Sequence, residues 1–210
     1  MQKIVKKNLI KEGDDKLNTL VLEETEMGDV PMDVYQKLAN DRILFICNTL
    51  TDEMATDIVA TILLKDAEDP DRKITLFINS EGGNIRNAFM IYDTMQMVSS
   101  PIETVCIGEA CDEAAIILMG GTKGMRLATK NSVITVSQLF HDWMTHADLK
   151  DAKKLLEQST VDNKRIMEIL SKSSGKSIKQ VIKDFDRRVF LSPKQAIKYG
   201  FIDKEVKHAK

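Results

Sequence analysis

The chain has 210 residues, enough for one domain with a sizeable core and not a demand for two. Its formal net charge of -2, with 30% charged residues of mixed sign and 43% hydrophobic ones, excludes a disordered chain and gives no electrostatic case for binding nucleic acid. No run of about 18 apolar residues occurs, which excludes a helical membrane span.

Residues 1–20 are polar and weakly patterned and read as an N-terminal arm ahead of a domain over residues 21–210. The arm carries Lys3, Lys6, Lys7, Lys11 and Lys16 without the apolar stretch of a signal peptide. Cys47, Cys106 and Cys111 sit among apolar or small residues, in no spacing suited to zinc, and read as reduced thiols. Cytoplasmic localisation is expected, with no cofactor and no metal.

After Met32 and Asp33, VYQKLAN has helical spacing, and RILFICN, Arg42 to Asn48, is a continuous apolar strand of the buried parallel type. Thr51 caps a helix with Met54, Ile58, Ile62 and Leu63 at intervals of three and four. KITLFINS is the next strand. The turn Glu81-Gly82-Gly83-Asn84 follows it, and a second helix carries Ile85, Ala88, Phe89, Tyr92 and Met95 on one face. A third cycle has ETVCIG (Glu103 to Gly108) as strand, a turn around Ala110, and a short helix ended by Gly120-Gly121. Strand, turn and helix repeated three times predict a parallel sheet with right-handed crossovers.

Further strands are expected at Met125 to Leu127 and Val133 to Leu139. A long helix is expected from about Ala147 to Ser171, with Leu149, Ala152, Leu155, Leu156, Ile166 and Leu170 as apolar positions. A last helix starts near Ser192, stops at Gly200, and leads to a short closing strand.

Taken in order, MDVYQKLANDRILFICNTLTDEMA, AEDPDRKITLFINSEGGNI, IYDTMQM and FLSPKQAIKYGFID resemble the proteolytic subunit of the Clp protease, ClpP, colinearly from about residue 20 to residue 206. The resemblance implies an α/β fold: a ClpP/crotonase-like spiral of ββα units with a protruding handle helix. It also implies assembly as two stacked heptameric rings, a tetradecamer around an inner chamber. Implied partners are further copies of itself or other ClpP-family subunits, and a Clp AAA+ ATPase.

The family serine lies in a GxAxSMG turn, matched by Gly108-Glu109-Ala110-Cys111-Asp112-Glu113-Ala114, so Asp112 stands in its place. The family histidine, in MIHQP, matches Ser137 within Thr135-Val136-Ser137-Gln138-Leu139. The family aspartate matches Arg188, with Asp184 and Asp186 in flanking slots. A hydroxyl cannot replace imidazole as a base near pH 7, a guanidinium cannot orient one, and a carboxylate opposes a developing oxyanion. No catalysis is expected from these positions, which suggests a pseudoprotease resembling the noncatalytic R-type subunits, structural or regulatory in a ring.

Gly82 and Gly83 match the family glycines whose N–H groups hold the oxyanion and line the peptide-binding strand, although a tight turn with positive φ would use the same residues. Asp112 and Glu113 fit helix capping. A second reading has Asp112 facing Arg188 with the Ser137 hydroxyl between them. An active peptidase with a relocated nucleophile would use Cys111 with His141 or His146, but one residue of displacement on a turn entering a helix rotates the side chain by about 100° away from the cleft. A stand-alone adaptor binding Clp subunits or ATPases is a further alternative, and acyl-CoA chemistry rests on fold alone.

Phe140 to His146 replaces a glycine-rich family stretch, and Phe140 and Trp143 suggest a locally packed loop or a partner contact. Where the family has aromatic residues on the ATPase-docking strand, this chain offers Thr75 and Phe77, so weaker docking is expected.

Overall fold

A computed structural model describes residues 20–25, 28–137 and 148–206. The hairpin that opens it, absent from the sequence expectations, pairs β1 (Leu20–Thr25) antiparallel with β2 (Gly28–Asp33). Asp33 then accepts from the Tyr35 N–H and caps α1 (Val34–Asn40), with Gln36 completing the capping box.

Three strand and helix cycles follow: β3 (Ile43–Cys47) and α2 (Asp52–Glu68), β4 (Ile74–Ser80) and α3 (Ile85–Met97), β5 (Ile102–Cys111) and α4 (Glu113–Met119). Thr51 caps α2 through the Met54 N–H, and Asn84 caps α3 through the Arg86 N–H. Strands β6 (Arg126–Ala128) and β7 (Val133–Val136) precede the long α5 (Leu149–Ser174), and the chain continues as α6 (Ile178–Asp184), β8 (Val189–Leu191), α7 (Pro193–Tyr199) and β9 (Lys204–Glu205).

The main sheet runs β3-β4-β5-β6-β9, all neighbours parallel, while β7 pairs parallel with β5 and antiparallel with β8. This is the α/β architecture expected of the spiral fold. Its core is a single cluster of aliphatic side chains from the strands and the helices packed on them, including Ile46, Ile62, Ile78, Ile91, Ile116 and Ile117, joined at the C-terminal end by Phe185 and Phe201.

Four expectations need correcting. No turn forms at Ala110, because β5 continues through it with Ala110 fully buried. Gly108 makes this possible: with φ +151 it bends the strand without ending it, and its neighbourhood satisfies the disturbed backbone. Ser132 Oγ accepts from the Gly108 N–H at 3.3 Å and donates to Cys106 O at 2.9 Å, while Asn79 Oδ1 accepts from the Glu109 N–H at 3.2 Å. Before the bend β5 pairs with β6, and after it with β7.

Strand β3 is not buried on both faces. Leu44 and Ile46 point into the core, but Phe45 lies half-buried on the other face, stacked on Phe77 at 5.3 Å and edge-on to Tyr35 at 5.5 Å. The long helix starts at Leu149, because Asp148 accepts from the Lys150 and Asp151 N–H groups, and runs to Ser174, where left-handed Gly175 stops it. Its two halves differ: Ile166, Met167 and Leu170 are core residues, whereas Leu155, Leu156 and Val161 are exposed. Lastly, α6 and β8 were not anticipated, and β7 ends at Val136, with Gln138 and Leu139 outside the described residues, as are residues 1–19 of the arm and Phe140 to His146; Leu20, read as the arm's last residue, already begins β1.

The C-terminal end is tied to the sheet by one ion pair. Arg126, on β6 and 4% exposed, donates from Nε to Asp203 Oδ2 at 2.9 Å and from Nη2 to Oδ1 at 2.7 Å, and its Nη1 reaches Ser173 Oγ at 2.5 Å near the end of α5. The Gly124 and Arg126 amides complete the carboxylate's partners. Burial alone would raise the Asp203 pKa, but the Arg126 guanidinium and the two amides outweigh it and hold it below the ordinary carboxylate range. A carboxyl whose folded pKa is depressed contributes stability above its unfolded pKa of about 3.9 and loses it as pH falls through the folded value. Asp203→Asn, which leaves Arg126 buried without its counter-charge, is expected to cost about 3 kcal/mol at pH 7. In urea melts this difference from wild type should hold down to about pH 5 and shrink below about pH 4.

Candidate functional site

Strand register brings Asp112, Ser137 and Arg188, the positions expected to match the triad, to one edge. Cys111 pairs with Thr135 in the parallel β5–β7 ladder, so Asp112 emerges beside the end of β7, and its N–H donates to Thr135 O at 2.9 Å. Val136 pairs with Val189 in the antiparallel β7–β8 ladder, so one step further Ser137 lies opposite Arg188. Three segments far apart in sequence therefore present adjacent side chains.

Asp112 occupies the sharp turn between β5 and α4 with φ +48 and ψ -102, a conformation unfavourable for a residue with a Cβ. The turn aims its side chain away from the helix. At the N-cap position it makes no capping hydrogen bond, which corrects the capping expectation for this residue. Instead, Ser137 Oγ donates to Asp112 Oδ1 at 2.7 Å and Arg188 Nη2 donates to Oδ2 at 2.8 Å. The carboxylate, rather than the hydroxyl, is the centre of the cluster. Its side chain is 17% exposed and that of Arg188 54%, so the ion pair is partly screened on the arginine side.

The flanking carboxylates are engaged elsewhere. Asp184 accepts from Tyr199 Oη at 2.8 Å and from Gln180 Nε2 at 2.7 Å, and the exposed Asp186 lies 3.9 Å from Arg187 Nε.

The glycine turn stands across from this cluster. Gly82 has φ +103 and Gly83 φ +148, both open to glycine and strained for other residues. The Gly82 N–H donates to Ser80 Oγ at 3.2 Å and its carbonyl accepts from the Leu50 N–H at 2.9 Å. The Gly83 N–H donates to Glu113 Oε2 at 3.2 Å, and the same carboxylate also accepts from its own backbone N–H. Glu113 thus bridges from the first turn of α4 to the glycine turn, a contact that the capping reading did not contain. Burial pushes the Glu113 pKa up, and the two amides only partly offset this.

Cys111 lies next to the cluster, with Sγ 3.3 Å from Glu109 Oε2. Burial, reinforced by the hydrogen bond and charge of Glu109 and the negative charge of Asp112, pushes its pKa up to about 11. His141 and His146, its suggested partners, lie outside the described residues. Among the described residues no group of three or more His, Cys, Asp and Glu could hold a metal ion, and no helix is long and apolar enough to cross a membrane.

Because Ser137 donates to a mostly buried carboxylate, Ser137→Ala is expected to cost about 1.5 kcal/mol, and the half-exposed Arg188→Ala about 1 kcal/mol or less. Urea denaturation of the two variants and their double mutant measures both costs and their coupling, which should be non-zero because the residues share one carboxylate.

A family model described as Clp protease matches residues 26–209, nearly the whole of the described structure. The chain belongs to the Clp protease family.

Proposed function

We propose that this chain is a Clp protease-type subunit that does not cut peptides and serves a structural or regulatory role in a ring, in the cytoplasm, with residues 1–20 as an arm ahead of the domain. The observation that carries this reading is the Asp112 carboxylate bound between Ser137 and Arg188 at the positions matching the family's serine, histidine and aspartate. The group at the nucleophile position is an anion already neutralised by its neighbours, and neither neighbour can take a proton at neutral pH. Asp112, Ser137 and Arg188 are structural residues in this reading.

The relocated-nucleophile alternative loses support at Cys111. Burial, with Glu109 and Asp112 adding to it, pushes the Cys111 pKa up to about 11, so its thiolate is a minor form at neutral pH. Ring assembly is supported by α5, whose first half leaves Leu155, Leu156 and Val161 exposed among the described residues. For a Clp ATPase, the aromatic group of Tyr35, Phe45 and Phe77 offers a docking face, but Thr75 supplies no ring to it, being 8% exposed and bonded to Glu103 Oε1 at 3.2 Å.

Native mass and hydrolysis of a small fluorogenic peptide, for the chain alone and mixed with an active Clp proteolytic subunit, test the proposal. Expected are rings or mixed rings, no hydrolysis by the chain alone, and an altered rate per active subunit in the mixture. Hydrolysis by the pure chain that Cys111→Ala abolishes would establish a cysteine peptidase instead. Substoichiometric association without ring entry would establish an adaptor.

A further inference from the structure

The glycine turn carries a feature that the loss of a nucleophile does not explain. Its exposed Gly83 amide is the donor an extended peptide or an oxyanion would need, yet it is spent on a side chain of the same chain, Glu113, at 3.2 Å. The carboxylate sits where glycine leaves room: a Cβ on Gly82 would lie 2.6 Å from Glu113 Oε2 and 3.0 Å from Cys111 O. We propose that Glu113 closes the peptide cleft from within, its carboxylate occupying the Gly83 amide in place of a ligand oxygen. The proposal rests on the noncatalytic reading of the site and adds to it that peptide docking is blocked as well as cleavage.

The energetics favour the internal occupant. A charged acceptor bonds an amide more strongly than a neutral peptide carbonyl does. Glu113 is also tethered two residues past the end of β5, so it meets Gly83 without loss of translational freedom. An incoming carbonyl must therefore displace a stronger, preorganised acceptor and leave a largely buried carboxylate with one partner fewer. Gly83 itself is needed for the fold whatever binds there, since a Cβ on it would lie 2.8 Å from the Leu50 N. The glycine pair can thus persist in a cleft that holds no peptide.

Two measurements on the full chain test this. In the wild type, hydrogen exchange at the Gly83 amide should be slow for an exposed turn and should rise about tenfold or more in Glu113→Ala and in Glu113→Asp, whose shorter side chain draws back. A capped, fluorescein-labelled hexapeptide rich in valine and threonine, chosen because it favours extended backbone, should bind Glu113→Ala about threefold to tenfold more tightly than wild type by anisotropy. Equal Gly83 exchange in wild type and Glu113→Asp, or unchanged peptide affinity in a folded Glu113→Ala, overturns the proposal. Mass spectrometry of the same samples separates the two readings: cleavage of the hexapeptide by wild type overturns the noncatalytic assignment, and the exchange rates still decide whether Glu113 holds the amide.

Discussion

The site depends on one strand that changes partners without breaking. β5 pairs with β4 along its length, with β6 before Gly108 and with β7 after it. A strand that ended at Gly108 would leave Asp112 and Glu113 on a free loop. Because it bends and continues, Asp112 is delivered beside Ser137 and Glu113 beside Gly83. The bend needs a residue without a Cβ, since a Cβ at Gly108 would lie 2.3 Å from Asn79 Oδ1, the acceptor that secures the Glu109 amide.

Given that placement, the chemistry follows from charge. Two acidic side chains emerge at successive positions, and in the proposed reading these are where a serine peptidase would need a neutral nucleophile and an empty anion hole. Each has found a separate solution to its own burial. Asp112 is met by a guanidinium and a hydroxyl, Glu113 by backbone amides. In the proposed reading neither arrangement offers a general base, and together they occupy the donors that acyl transfer would use. The strained backbone at Asp112 persists because the strand ladder on one side and α4 on the other determine it, a geometry suited to presenting a side chain and used here to seat a carboxylate.

Much of this was legible in the sequence, and the remainder was hidden for physical reasons. Apolar runs and local stop and cap signals located β3, β4, α2 and α3, as with Thr51, which caps α2, and Gly200, which ends α7. The ion cluster could be anticipated from the exchange of charge types at aligned positions. Its order could not, because which group lies central depends on the turn at Asp112. β8 escaped notice because three residues paired antiparallel to β7 carry no periodicity of their own. The continuation of β5 past Gly108 depends on Asn79 and Ser132, residues from other segments. Glu113 was read by local rules as a helix-capping acid, but the Gly83 amide it accepts from lies thirty residues earlier and is brought near only by the sheet.

The central claim, that the carboxylate at the nucleophile position is structural and not catalytic, is tested most directly by measuring peptide hydrolysis and thermal stability together for wild type and Asp112→Ala. The account predicts no hydrolysis above buffer in either protein and a lower melting temperature for Asp112→Ala, which loses both hydrogen bonds to the carboxylate. A wild-type rate that Asp112→Ala abolishes at unchanged melting temperature would contradict it.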